Sequence, residues 1–483
     1  MFSLMLILTA CSVSNQPVES MTANNTQSAE ENRSGALADE EAKVEFELND
    51  TFQKLLDEVN AAHRAVEMYQ GDYSAYLGRI EDPEYDASLV SATPQSGDSI
   101  VTLQQVIDDM EWFYHTLRVE YGAYAYFGGD EAFRSAIDAV IADCSSMSTI
   151  TVNDVLGSLL RNFVFVKDAH FTFEGWSLTE RVIPFFFRGT AYTKTENGYE
   201  TTDGKIVASV RGQPDLDELF KLSLTTEGDL VYYPVILEPV SFVQLVKESE
   251  IRCSTYVLNV RYQDGTSENL RPDSYTLPQY DLEGTEILVN NGVPMIHLKD
   301  FYGTYGGIEF TSFASDHREN DIKIVDLLKC PGGAPGMATT WYAEYTQGEF
   351  WANSLRIRGG LADAMYEKHL AQQEDKFVSS DSVLIVLMSK ASASSSEWFI
   401  DLGHNLENTL FIGENSSGCY IGDLIERIFP NTGIHFAFGA QLILTPGEEY
   451  FEENRGFYPD IWVPAVEAEE AVMNFIAKNT TTN

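Results

Sequence analysis

The chain has 483 residues and a formal net charge of −43, from 74 acidic against 31 basic side chains. That balance excludes nucleic acid and purely electrostatic attachment to anionic lipid, and it favours solubility in a salty exterior. An apolar content of 44% is ordinary for a globular protein, and the length allows roughly two to four domains with ample core.

Met1-Phe-Ser-Leu-Met-Leu-Ile-Leu-Thr-Ala-Cys11 is hydrophobic but too short to span a bilayer. Its end, Leu8-Thr9-Ala10-Cys11, resembles a bacterial lipoprotein signal, in which the segment is cleaved and Cys11 carries the lipid. This implies an extracytoplasmic protein held to the cell membrane by a lipid anchor only. No positively charged stretch precedes the segment. Residues 12–41, rich in Ser, Asn, Glu and Ala, are expected to form a disordered acidic tether. Residues 42–98 join an acidic amphipathic helix (Phe52, Leu55, Leu56, Val59) to a polar loop at Thr93-Pro-Gln-Ser-Gly97. In residues 99–175 the spacing of Leu103, Val106, Ile107, Met110, Phe113 and Leu117 predicts helices. Residues 176–285 alternate like short strands, with turns at Asn197-Gly198, Asp203-Gly204 and Asp264-Gly265, and are expected as a β-rich domain. Residues 286–470 carry an α/β pattern, and 471–483 are left as a tail.

Within that last region, Asp381-Ser-Val-Leu-Ile-Val-Leu-Met388 has the β-branched apolar run of a buried strand. Lys390-Ala-Ser-Ala-Ser-Ser-Ser-Glu397 follows, and then Trp398, Phe399, Leu402 and Leu406 recur at helical spacing. Strand, small-residue turn and helix put the serines at the C-terminal edge of a sheet, where open α/β folds place their sites. A serine at a helix N-terminus gains from the amides and dipole that favour developing negative charge. Upstream, Ile322–Leu328 predicts a second buried strand, running into Lys329-Cys-Pro-Gly332-Gly333. Paired glycines there let backbone amides face a ligand.

Four phrases occur in order: Asp326-Leu-Leu-Lys-Cys-Pro-Gly332-Gly333, Ser394-Ser-Ser-Glu397, Gly413-Glu414-Asn-Ser-Ser-Gly418 and Gly456-Phe-Tyr-Pro459-Asp460. Together they resemble the C-terminal-processing and tricorn-type serine peptidases, the tail-specific protease superfamily. The resemblance covers roughly residues 99–175 and 286–465. It implies an α/β catalytic core of the ClpP/crotonase-like kind, preceded by a helical region and an intervening β-rich domain that handles substrate. It implies Ser394 as nucleophile, with oxyanion donors from Gly332 or Gly333 and from Ser395. The lysine that serves as base in one branch of that family is here replaced by Cys419, and its Arg and Asn by Leu328 and Cys330. The tricorn branch takes its base from a leucine-rich helical segment instead. Leu159-Leu-Arg-Asn-Phe-Val-Phe-Val-Lys-Asp168-Ala-His170 is similar to that segment, which implies His170 as base and Glu453 as the carboxylate that orients it. Cys419 is then a wall residue or a partner for Cys330.

The other histidines fit less well. His404 lies ten residues beyond Ser394 on the same expected helix, about 15 Å along its axis. His297 sits in an apolar strand and is expected to face the core, and His63, His115, His317, His369 and His435 have no recognisable setting. No metal motif or cofactor is indicated. The expected activity is hydrolysis of peptide bonds in peptides or proteins; the alternative is an inactive relative that binds peptides or envelope partners.

Overall fold

Val383–Met388 carries no polar side chain and is buried along its whole length, the state of a strand covered on both faces. In the computed structural model, which describes residues 44–78, 80–85, 96–241, 251, 257–278, 284–302, 306–364, 366–368 and 377–482, this strand is central to a parallel array. The expected signal with Cys11, the tether, Thr93-Pro-Gln95 of the polar loop, Cys253 and His369 lie outside the described residues. Val293–His297, Ile322–Asp326, Val383–Met388, Thr409–Gly413 and Ile461–Trp462 run side by side and parallel. Their register aligns Asp326 with Leu387 and Met388 with Gly413. The loops that follow these three strands therefore leave the same edge next to one another.

Alternation along the strands sends side chains into two separate cores. Leu384, Val386 and Met388 meet Phe310, Trp341, Tyr342 and Phe399 from helices Gly306–Asp316, Pro335–Tyr345 and Ser395–Gly403. Val383, Ile385 and Leu387 meet Phe52, Leu55 and Leu56 from helix Asp50–Ala65, and Val472 and Phe475 from helix Ala468–Asn479. The result is a three-layer α/β/α core.

Contacts across the expected segments join them to the core. The segment at residues 46–65 and the tail meet on the core: Phe46–Leu48 pairs with Thr480–Thr482, and Phe52 packs edge-on against Phe475 at 4.8 Å. The tail was misjudged because its apolar positions Val472, Phe475 and Ile476 continue a helix that starts at Ala468. The β-rich region is not separate either. Phe220–Leu224 pairs parallel to Ile461–Trp462, which carries the central sheet through Leu230–Val240 into Arg181–Phe186. Its outer part, Val207–Val210 with Leu258–Tyr262 and Ser267–Leu270, keeps a core of its own around Tyr192, Phe220 and Leu258. Finally, helix Ser395–Gly403 is buried on every side rather than amphipathic, and it ends before Leu406.

The helical region consists of Leu103–Glu120, Gly129–Ser145 and Val152–Asn162, the first and last opened by threonine capping boxes at Thr102 and Thr151. Phe113 joins it to the hairpin of Leu424–Ile428 and His435–Gly439, with ring centroids 5.1 Å from Phe429 and 4.7 Å from Phe436. Buried Asp109 adds a polar tie, accepting the Asn431 and Thr432 amides at 2.8 Å each. Thr172–Phe173 extends the same hairpin through the pairing of Phe436 with Phe173. His170 is therefore not at a helix end as expected. The helix stops at Asn162, and His170 lies in a turn held between it and this strand.

Candidate active site

Ser394 precedes the first residue of the buried helix and adopts φ 55° and ψ −112°, a left-handed backbone that costs a non-glycine residue about 1–3 kcal/mol. Two bonds hold it there. Its amide donates to the Cys419 carbonyl at 3.0 Å and to the Glu397 carboxylate at 3.1 Å. The neighbouring serines are committed elsewhere: Ser392 donates to the Leu327 carbonyl, Ser395 to Gly333 and Ser396 to Cys330. Those three are buried, and Ser394 is the partly exposed one.

Glu397 explains why an acid belongs three residues after that serine. One oxygen accepts from the Ser416 hydroxyl at 2.6 Å and the Gly418 amide at 2.7 Å; the other accepts from the amides of Cys419 at 2.8 Å and Ser394. Burial drives its pKa upward, and these hydrogen bonds oppose that shift. It ties the loop after Gly413 to the serine turn. The glycine turn closes the other side. A Cβ on Gly332 would lie 2.8 Å from the Ser394 Cβ and 2.9 Å from the Ser395 nitrogen, so only glycine fits. Cys330, in the same turn, is fully buried, and burial pushes its thiol up to about 12.

His170 is 4% exposed, and neither ring nitrogen has a hydrogen-bond partner. Its Nδ1 lies 3.7 Å from Asp168 Oδ1, too far for a hydrogen bond. Asp168 is itself fully buried and pinned, accepting the His170 amide at 2.8 Å and the Tyr121 hydroxyl at 3.0 Å. Glu453 is half-buried and accepts the amides of Ala169 at 3.1 Å and Tyr420 at 3.2 Å. Donor atoms of Asp168, His170 and Glu453 lie within 4.8 Å of one another. Burial works against a charged imidazole here, but the Cys419 sulfur and the Asp168 carboxylate outweigh it and hold His170 well above its ordinary pKa. Burial, with Asp168 and Glu397 nearby, pushes Glu453 up to about 8.

Cys330 and Cys419 are both free thiols, so the contemplated bridge does not form. Cys419 is half-buried at the site: its backbone carbonyl accepts the Ser394 amide, and its thiol is among the groups that raise the His170 pKa. Asp168 and Lys390, within the segments 159–170 and 390–397, have no role assigned from sequence. Lys390 is buried and donates to the carbonyls of Ser416 at 2.8 Å, Asn454 at 3.0 Å and Arg455 at 3.0 Å. Burial lowers its pKa, yet three carbonyls occupy all three hydrogens of an ammonium, which marks a structural tie rather than a free amine. The signal for it was a lysine within an otherwise small, uncharged run. His297 does not face the core as expected; its Nδ1 meets Asp326 at 2.6 Å. His63, assigned no setting, bonds Asp460 at 2.9 Å and so supports the strand that ends the core. His404 caps its helix with Nδ1 at 2.8 Å from the Ile400 carbonyl.

Residues 292–463 match the model of Peptidase family S41. No curated protein sequence matches the chain. Among solved structures, mature CPAF complexed with lactacystin is similar at 14% identity, covering 78% of this chain and 97% of that one, with a TM-score of 0.39. The photosystem II D1 C-terminal processing protease is similar at 11% identity, covering 78% and 98%, with a TM-score of 0.37. The tricorn protease is similar at 14% identity, covering 77% and 35%, with a TM-score of 0.33.

Proposed function

For this chain, whose residues 292–463 belong to Peptidase family S41 and which is a serine-type peptidase, we propose that Ser394, His170 and Glu453 carry the hydrolysis of peptide bonds. The core is read as ClpP/crotonase-like, with the parallel strands delivering three loops to one edge. The Ser394 hydroxyl attacks the substrate carbonyl while Nε2 of His170 takes its proton. The amides of Ser395 and of the glycine turn, Gly332 or Gly333, receive the negative oxygen. His170 then returns the proton to the leaving amine as the C–N bond breaks. Water cleaves the acyl-enzyme by the same route, giving up a proton to His170 and restoring the serine. Asp168, 3.7 Å from Nδ1, steadies the imidazolium, and Glu453 stands within 4.8 Å of both as the residue that orients the ring.

The observation that carries this reading is Ser394 itself, strained at a helix N-terminus against the glycine turn, with His170 reached through Cys419. The ring makes no hydrogen bond to Ser394, and catalytic hydrogen bonds of this kind often tighten only in the substrate complex. Labelling with a fluorophosphonate probe is the test. Wild type should label and Ser394→Ala should not, and an unlabelled wild type would favour the inactive peptide-binding relative. Anchoring through Cys11 is proposed on the Leu8–Cys11 phrase alone, and loss of lipid labelling in Cys11→Ala tests it.

A further inference from the structure

Among the described residues, the buried polar atoms left unsatisfied include both ring nitrogens of His170. A buried nitrogen without a partner costs about 1–3 kcal/mol, so two on one ring mark a place where something binds. On the Nδ1 side the separation from Asp168 Oδ1 is 3.7 Å, long for a hydrogen bond. Two ligands on one tetrahedral zinc ion, each at about 2.0–2.2 Å, stand about 3.4 Å apart, which a small ring rotation reaches. Glu453 supplies the third donor, within 4.8 Å of both others.

The carboxylates are set as ligand carboxylates usually are. Asp168 is oriented by the Tyr121 hydroxyl and the His170 amide, and Glu453 by two backbone amides. Such outer bonds fix a metal ligand's direction while leaving lone pairs free. Asp168 and His170 are buried, while Glu453 is half-buried.

We propose that Asp168, His170 and Glu453 form a zinc site, and that an ion there switches the peptidase off. One imidazole, two carboxylates and a water suit zinc, whereas magnesium prefers six oxygens. The switch rests on the reading of His170 as base. A metal on Nδ1 places the ring proton on Nε2, and that nitrogen can no longer accept the proton of Ser394. Coordination forms bonds from the ion to Nδ1 and the two carboxylates, and the protons held on Nδ1 and Glu453 leave to solvent, with no change of oxidation state.

The test uses the full chain, stripped with a chelator and titrated with Zn²⁺ against a chromophoric zinc indicator. One equivalent should bind at micromolar free zinc, with no competition from millimolar Mg²⁺. His170→Gln and Glu453→Gln should each weaken binding by about tenfold or more. Ser394→Ala should bind as wild type does. His297→Gln serves as a control, because His297, Asp326 and Glu469 form the other such cluster. Melting curves confirm that each variant is folded, and Asp168→Asn replaces any that is not. Peptide hydrolysis should fall in step with zinc occupancy. Binding lost in His297→Gln but kept in His170→Gln would overturn the site, as would no binding at micromolar zinc. Binding that depends on His170 without any hydrolysis to inhibit would keep the site and defeat the peptidase reading. Full hydrolysis by the zinc-loaded protein would overturn the switch.

Discussion

Four serines within five residues differ by what their hydroxyls do. Ser394→Ala should abolish turnover of an unstructured protein substrate while moving the melting temperature by no more than a few degrees, since the residue is partly exposed. Ser392→Ala and Ser396→Ala remove buried bonds to the Leu327 and Cys330 carbonyls, and each should cost about 1–2 kcal/mol in denaturant titrations with activity retained. Activity lost in either, but kept in Ser394→Ala, would move the nucleophile. The register of that assignment came from the phrase Ser394-Ser-Ser-Glu397; the differing exposure could only come from packing.

His170 has a consequence in pH. A base must be deprotonated to work, and this ring is held well above the ordinary histidine value by Cys419 and Asp168 against burial. The rising limb of kcat/KM should therefore lie on the alkaline side of about pH 6.5, the unperturbed histidine value. Cys419→Ala removes one of the raising groups, so its limb should shift to lower pH while turnover persists. An unmoved limb would show that the sulfur does not act on the base. Sequence placed Cys419 at the position of the absent lysine, as a wall residue or a partner for Cys330, because nothing along the chain reports its effect on a histidine 249 positions away.

At the scale of elements, the turn before the buried helix depends on Glu397 holding four donors from two loops. Glu397→Gln keeps the size but offers a single acceptor oxygen and turns an NH₂ toward backbone amides. The expected loss is about 2–4 kcal/mol, with fluorophosphonate labelling of Ser394 slowed even where the protein stays folded. Equal stability and equal labelling would show that the glycine turn alone sets the serine. The helix after Ser394 was legible from Trp398, Phe399 and Leu402, since aromatic and aliphatic spacing is local. That it is buried all round was not, because its polar positions Glu397 and Asp401 are satisfied by partners far along the chain: Asp401 by Tyr420 at 2.7 Å and by the amides of Asn353 and Ser354.

For the molecule as a whole, stability should fall as pH rises through neutrality. Glu453, raised to about 8, and His170, also raised, both keep a proton in the folded state that the unfolded chain has already released. Folding then takes up protons between about pH 4.5 and 8, so unfolding free energy decreases across that window. The His170 part is fully present below about pH 6.5 and is lost as pH passes its folded value. Melting temperature measured from pH 5 to 8.5 should decline, and Glu453→Gln should flatten the decline. A wild-type curve that rises over this range would contradict the protonation assigned to both groups.

What the sequence determined by itself was local or ordered along the chain. It gave the buried runs Ile322–Asp326 and Val383–Met388, the glycine turn, a helix start at Ser394 and the positions of Gly204 and Gly265, which do carry positive φ. Each follows from side chains within a few residues of one another, where hydrophobic period and backbone freedom decide the outcome. The tertiary structure decided whatever joins distant segments. It clasped residues 46–65 to 468–482 around the core, ran the central sheet on into the β-rich region, and set Asp168, His170 and Glu453 together beside Cys419. Pairings of that kind depend on which apolar faces cover each other and which buried carboxylates find amides. A sequence names the candidates for such contacts, but only packing in three dimensions chooses among them.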